Sequence, residues 1–360
     1  MKTKTQISAL QFYLMLFLSR VVVSMTINAQ TFGGGNFLDT ILSEILLFAV
    51  SAVFVLPLFA LHRKYPELSL PGIAEKRFGA AGYGVSALYF LYFVLMNTFS
   101  LALFLVLILN TMDPAASGWS IVLVLSGIAL YGAVKGIETV SRAAICIFAV
   151  FLLGIGAIFT ALSGKVHPDY LEPILQNGTD QLLRGFWAFA ARCTSLAEFA
   201  VLMPFVIQNK KKGFLLWGGG TALFLSVILF FLVSCLGEYA DLQIFPFYTL
   251  STMAEVAGIQ RLDALLIGLC MMTLVIRLAV GFFAVSECSA RLLQPRGRMI
   301  LQLTVFGLCA AGALWITQTS SRSGLLFRTA YWLPGAVLTN AVLPVLIWLL
   351  DCILRKKKVI

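Results

Sequence analysis

Five ionisable residues sit in the middle of long apolar runs: Arg20, Glu44, Arg192, Glu198 and Arg277. An arginine guanidinium is a planar fork that can hold a carboxylate through two parallel hydrogen bonds. Arg20 and Arg192 fall at corresponding points of two similar sets of runs, so at least one of them is a candidate to read the carboxylate of a small solute. Around Arg192 the chain reads Ala190-Ala191-Arg192-Cys193-Thr194-Ser195, small and polar residues where an apolar helix should continue. An unwound turn there would free backbone groups and point two half-helix ends at a cavity. The signal is poorer at Arg20, which follows Ser19 and precedes Val21-Val22-Val23, with no glycine or proline to favour a break. The competing reading is structural. An unpaired charge at membrane depth costs at least about 2.5 kcal/mol, so Arg20 could pair with Glu44 across adjacent helices, and Arg192 with Glu198. Glu44 and Glu198 are accordingly expected in structural or coupling roles.

Such residues need elements that cross a membrane. A hydrocarbon core about 30 Å thick takes roughly 20 apolar residues in a helix to span. The first five candidate spans are Ile7–Asn28, Leu38–Leu61, Val85–Leu109, Trp119–Gly132 and Ile137–Leu162; the second five are Leu183–Ile207, Phe214–Leu236, Ala264–Ser286, Met299–Ile316 and Tyr331–Leu354. Composition agrees: 60% of residues are hydrophobic and 12% charged, against about 25% charged in a soluble domain. The mean hydropathy is +0.95. Five crossings per set make the second set enter from the opposite side. That is an inverted repeat, the plan of many transporters that bind solutes at the midplane through interrupted helices. The expected fold is therefore an all-α integral membrane protein of ten transmembrane helices in a 5+5 inverted repeat. Its expected units are a first repeat at 1–163, an outer connecting loop at 164–182 and a second repeat at 183–360.

Eighteen of the 26 basic residues fall in segments that share one side when the N-terminus is cytoplasmic. The positive-inside rule then places both termini in the cytoplasm. The net charge of +10 is thus a topology signal, not a nucleic-acid footprint. The basic tail Arg355–Lys358 also attracts anionic membrane lipid. A cleaved signal peptide is not expected, because the first run is too long for an h-region and lacks a clear small-x-small site. Two amphipathic pieces interrupt the spans: a cytoplasmic surface helix at Ser69–Gly79 and an outer half-helix at Pro246–Ile259. The seven cysteines form no CxxC pair and the two histidines, His62 and His167, are expected in loops. No metal site, cofactor or enzymatic nucleophile–base set is expected. Gly33–Gly35 and Gly218–Gly220 lack the context of phosphate loops, and Asn177-Gly178-Thr179 is a glycosylation triplet that arises often by chance.

Further motifs carry a family resemblance over nearly the whole chain. Ile7-Ser8 with Gln11-Phe12 opens the first span, and Gly136-Ile137-Glu138-Thr139-Val140-Ser141-Arg142 opens the fifth. Leu171-Glu172-Pro173-Ile174-Leu175-Gln176-Asn177-Gly178 joins the halves. Ala197-Glu198, Leu202-Met203-Pro204-Phe205 and Lys210–Lys212 mark the sixth span. Phe245-Pro246-Phe247 and Arg261-Leu262-Asp263-Ala264 mark the outer half-helix. In this order and spacing the chain resembles the B subunit of GerA-type spore germinant receptors, ten-span proteins similar to permeases of the amino acid–polyamine–organocation superfamily.

That resemblance implies a nutrient-sensing subunit in the spore inner membrane, with a larger membrane subunit and a lipoprotein subunit as partners. It implies a small nutrient, an amino acid in this family, bound at the midplane between the first and sixth spans. Ser19, Arg20, Arg192, Cys193, Thr194 and Ser195 would then line the site, with Asn97, Thr98, Thr273 and Arg277 of the third and eighth spans completing it. Two departures fall there. Ser19-Arg20 stands where the family has Gly-Thr, and Ser195-Leu196 stands where it has Pro-Phe. The alternative on the same fold is an ion- or proton-coupled amino-acid transporter, since fold does not fix function.

Overall fold

The computed structural model describes residues 6–26, 37–170, 179–207, 210–256, 259–260, 262–290, 293–318 and 320–356. The first five spans are α1 (Ala9–Met25), α2 (Phe37–Lys64), α4 (Ala80–Thr111), α5 (Gly118–Lys135) and α6 (Ile137–Leu162), with the surface helix α3 (Leu70–Phe78) between the second and third. The sixth span is split into α7 (Thr179–Arg192) and α8 (Ser195–Leu202). Then come the seventh span α9 (Lys210–Leu236), short α10 (Tyr239–Leu242), and the outer helix α11 (Pro246–Thr252). The eighth and ninth spans are α12 (Asp263–Cys288) and α13 (Pro295–Thr317), followed by short α14 (Ser320–Phe327). The tenth runs through α15 (Thr329–Val337), a π-turn at Leu338–Val342, and α16 (Leu343–Lys356). Among the described residues nine spans are long and apolar enough to cross a membrane, and the apolar stretch Ala9–Val23 of α1 is a shorter tenth.

Local chemistry sets several ends. The Ser69 hydroxyl accepts from the Gly72 N–H at 3.3 Å and Pro71 occupies the first turn, so α3 starts where a capped helix should. Gly79, at φ 56°, stops it and lets the third span begin at Ala80, five residues before the sequence suggests. A Cβ on Gly82 would overlap the Ala74 carbonyl, so this glycine is what lets α4 lie against α3.

Two expectations need correction. The first span does not start as helix at Ile7: Ile7-Ser8 is extended and pairs in parallel with Val206-Ile207, just beyond α8. The outer half-helix does not reach Ile259. It ends at Thr252, and Glu255–Val256 then pairs antiparallel with Ile259–Gln260. The hydroxyls of Thr249, Ser251 and Thr252 bond carbonyls three or four residues back, which weakens the helix. The β-branched Val256 and Ile259 favour an extended chain beyond it. Gly33–Gly35 and Leu171–Gly178, with Asn177, lie outside the described residues.

Burial separates core spans from lipid-facing ones. In their most apolar windows α4 is 83% buried, the sixth span 78% and α12 72%, against 22–39% for α2, α5, α6, α13 and the tenth span. α1 packs on α12, α6 and α9, while α4 packs on α12 and α13. Spans one, three, six and eight thus form the centre, and Arg20, Arg192, Glu198 and Arg277 lie on them. Polar residues at depth face protein, as their cost in hydrocarbon requires. At the end of the bundle that carries α3, the Asp351 carboxylate of α16 accepts from Lys64, from the Tyr65 hydroxyl at 3.0 Å and from Arg77 Nε at 2.7 Å. That carboxylate ties the second span and α3 to the tenth.

Candidate functional site

The helix break falls where the small and polar run of the sixth span predicts it. α7 stops at Arg192, and α8 starts at Ser195. Between them Cys193 keeps a single tight-turn bond to the Ala190 carbonyl (3.2 Å), and the Glu198 N–H returns to the Thr194 carbonyl (2.8 Å). A break leaves helix-end carbonyls and N–H groups that must find partners in a water-poor interior. Three other spans supply them. The Cys193 carbonyl accepts from the Tyr92 hydroxyl at 2.9 Å and from Asn340 Nδ2 at 3.0 Å. The Arg192 carbonyl faces Arg277 Nη2 at 3.5 Å. The Ala197 N–H, in the first turn of α8, donates to Asn340 Oδ1 at 2.8 Å. Asn340 therefore caps both sides of the gap. It reaches there from the π-turn, whose extra residue rotates the tenth span locally.

The arginines divide between the two readings. Arg20 donates through Nη2 to Glu44 Oε2 at 2.7 Å and through Nη1 to the Phe189 carbonyl at 3.4 Å. Its guanidinium also lies 5.6 Å from the Phe189 ring centre. The Arg20–Glu44 ion pair is buried on both sides. α1 is continuous through it. Arg192 and Glu198, by contrast, form no ion pair, because the break separates them. Arg192 turns back along α7 to the Ala188 carbonyl (3.0 Å) and across to the Leu326 carbonyl of α14 (3.3 Å), over the Phe99 ring. Glu198 instead accepts from the Ser19 hydroxyl at 2.8 Å and the Thr194 hydroxyl at 2.6 Å, both on Oε1.

Arg277 is the node. Its Nε donates to the Ser100 hydroxyl at 2.7 Å and its Nη1 to the Ser19 carbonyl at 2.6 Å. With the Arg192 carbonyl, one guanidinium links spans one, three, six and eight. Ser19, Thr194, Glu198 and Arg277 are thus brought together with Cys193 and Ser195 at the break. Asn97 is near but turned to the Leu278 carbonyl at 3.5 Å, beside Gly281, where a Cβ would collide with it. Thr98 and Thr273 are not at the break. Thr98 bonds the Val94 carbonyl and packs on Gly312 of the ninth span, and Thr273 bonds carbonyls of its own helix. Sequence reasoning missed Tyr92, Ser100 and Asn340. For Asn340 the signal was present: Thr339-Asn340 is a polar pair inside an apolar span.

A cavity of about 20 Å³ lies between Arg20, Glu44, Phe48, Cys193, Trp217 and Thr221. It has room for about one water and no more. A larger hollow, about 130 Å³, lies between α3 and the neighbouring ends of the sixth and eighth spans, with Glu67, Glu75 and Glu287 in its wall. Among the described residues no group of His, Cys, Asp and Glu could hold a metal ion.

The sequence profile of a family described as "Spore germination protein" matches residues 6–321. A Bacillus subtilis (strain 168) protein named "Spore germination protein KB" is 27% identical over 184 residues, which is 50% of this chain and 48% of that one. The chain thus aligns with about half the length of this curated relative. A solved Na+-coupled sialic acid symporter, in a substrate-bound outward-open state, has the same fold: TM-score 0.66 at 14% identity, over 93% of this chain and 79% of that one. The chain belongs to the spore germination protein family and is a transporter-like integral membrane protein with a LeuT-like fold.

Proposed function

From that membership we propose that this chain is the nutrient-sensing membrane subunit of a spore germinant receptor. A small nutrient, an amino acid by class, binds where the sixth span is broken against the first. The observation that carries the reading is the break itself: an interrupted span whose freed groups are held by polar side chains from three others, buried at the centre of a permease-like fold. In the arrangement described here the break is closed on itself, since Tyr92, Asn340 and Arg277 occupy its backbone groups. A nutrient enters by favouring a second arrangement in which some of those contacts are exchanged for contacts with ligand. It can shift the balance only by its difference in affinity for the two. The bias is then read by a larger membrane subunit and a lipoprotein subunit, in the spore inner membrane, with both termini of this chain cytoplasmic.

The experiment is a deletion of this gene in the spore-former, with germination followed by loss of optical density on single amino acids. Loss of the response to one nutrient, restored by the wild-type gene, supports the reading. Uptake of the same nutrient into vesicles carrying this chain alone would instead make it an ion- or proton-coupled transporter.

A further inference from the structure

Every arginine at the break is engaged with the protein: Arg20 with Glu44, Arg192 with two carbonyls, Arg277 with Ser100, Ser19 and the Arg192 carbonyl. None presents an open fork to a carboxylate. The exception in polarity is Glu198. It is 2% exposed, its Oε1 takes both hydroxyl donors, and its Oε2 is equally buried with no hydrogen-bond partner among the described residues. Among those residues it also belongs to no ion pair. A carboxylate has about four lone-pair sites, and a buried one left half satisfied is costly. The negative C-terminal pole of the 14-residue α7 also meets the break, opposite the positive pole of the shorter α8, whose first turn carries Glu198.

We propose that Glu198 is a binding site for a small monovalent cation, taken through Oε2: the ammonium head of a nutrient or an alkali metal ion. This rests on the reading that ligand binds at the break, and it reverses the polarity expected from the arginines. The ligand group held here is the cation, not the carboxylate. Ser19 couples the site to the eighth span, because its hydroxyl donates to Glu198 while its carbonyl accepts from Arg277. A cation competing for the carboxylate alters the shared serine and so the Arg277 contacts.

The test uses the full chain in detergent micelles, reading its thermal unfolding midpoint against added probe. The probes are ethylammonium chloride, sodium chloride and potassium chloride, with tetramethylammonium chloride as the bulky control and tetramethylammonium propionate as the carboxylate-only arm. At least one small cation should raise the midpoint above the control, and propionate should not. Glu198→Gln should raise the half-saturating concentration at least about tenfold, as expected for loss of a charge-assisted hydrogen bond. A shift with ethylammonium alone assigns the nutrient's ammonium; a shift with sodium or potassium alone assigns a metal ion. A shift with propionate only, with none of the cations, or one retained in Glu198→Gln overturns the inference, and the wild-type arms decide even if that variant fails to fold. Spores separate the two readings. Nutrient response lost on gene deletion but no cation shift removes the inference alone, whereas a cation shift in a chain whose deletion leaves germination intact removes the sensor reading alone.

Discussion

Replacing Asn340 by leucine, a side chain of similar shape, isolates what holds the broken span together. The Ala197 N–H loses the acceptor it has in the structure, and an orphaned buried donor costs about 1–3 kcal/mol. The Cys193 carbonyl loses one of two donors but keeps the Tyr92 hydroxyl, so its share is smaller. The sum for Asn340→Leu is about 2 kcal/mol. Interhelical hydrogen bonds in membranes average only about 0.6 kcal/mol, so a value near 2 would mark the break as a place where no helix partner can substitute. Tyr92→Phe alone leaves Asn340 on the same carbonyl and should cost under about 1 kcal/mol. The double variant strips the Cys193 carbonyl of both donors, so the pair should be more than additive, by about 0.5–1 kcal/mol. Equilibrium unfolding of the purified chain in mixed SDS micelles reads all three. If Asn340→Leu costs no more than about 0.6 kcal/mol and the cycle is additive, the argument that side chains satisfy the break is wrong.

Glu44→Leu should lower the level of folded protein sharply, by about 3–5 kcal/mol in stability, because it strands the Arg20 guanidinium; Arg20→Met with Glu44→Leu should recover most of it, and a double variant no better than the single would break the assignment of the pair. Gly82→Ala should be more damaging than Gly218→Ala, by about 1 kcal/mol or more, since the first pushes a methyl into the backbone of α3 and the second into the Phe48 side chain, which can turn away; Phe48→Ala should rescue only Gly218→Ala, as read by detergent melting. A reporter fused after Ile360 should be cytoplasmic and one inserted at Asn177 outside, as the basic residues predict; an outside signal from the C-terminal fusion, with Asn177 still outside, would mean that the number of crossings is off by one.

The sequence made the break legible and left its occupants unseen, for a physical reason. A run such as Ala190-Ala191-Arg192-Cys193-Thr194-Ser195 weakens its own helix by local propensity, and local effects can be read from one segment. Which groups then satisfy Cys193 and Ala197 depends on the rotation of the tenth span. That rotation is set by a π-turn at Leu338–Val342, and hydrophobic pattern carries no sign of it. The symmetric pairing, Arg20 with Glu44 and Arg192 with Glu198, holds only for the first, for the same reason. Position in the repeat is a property of sequence, but each arginine's partner is a property of the neighbouring span. Arg20 meets Glu44 because α2, packed along α7, brings that carboxylate within 2.7 Å of it. Arg192 has its own helix end, α14 and Phe99 around it, and the glutamate six residues on lies beyond the break with Ser19. Arg277, which looked like one charge among five, became the centre because it is long enough to reach three spans from a fourth central one. An inverted repeat matches positions in the two halves, yet only the second is interrupted here, α1 being continuous at Arg20 while the sixth span breaks after Arg192. It does not make the two halves chemically alike, and in this chain the acceptor Glu198, rather than the paired arginines, is the group at the break left with an oxygen to offer.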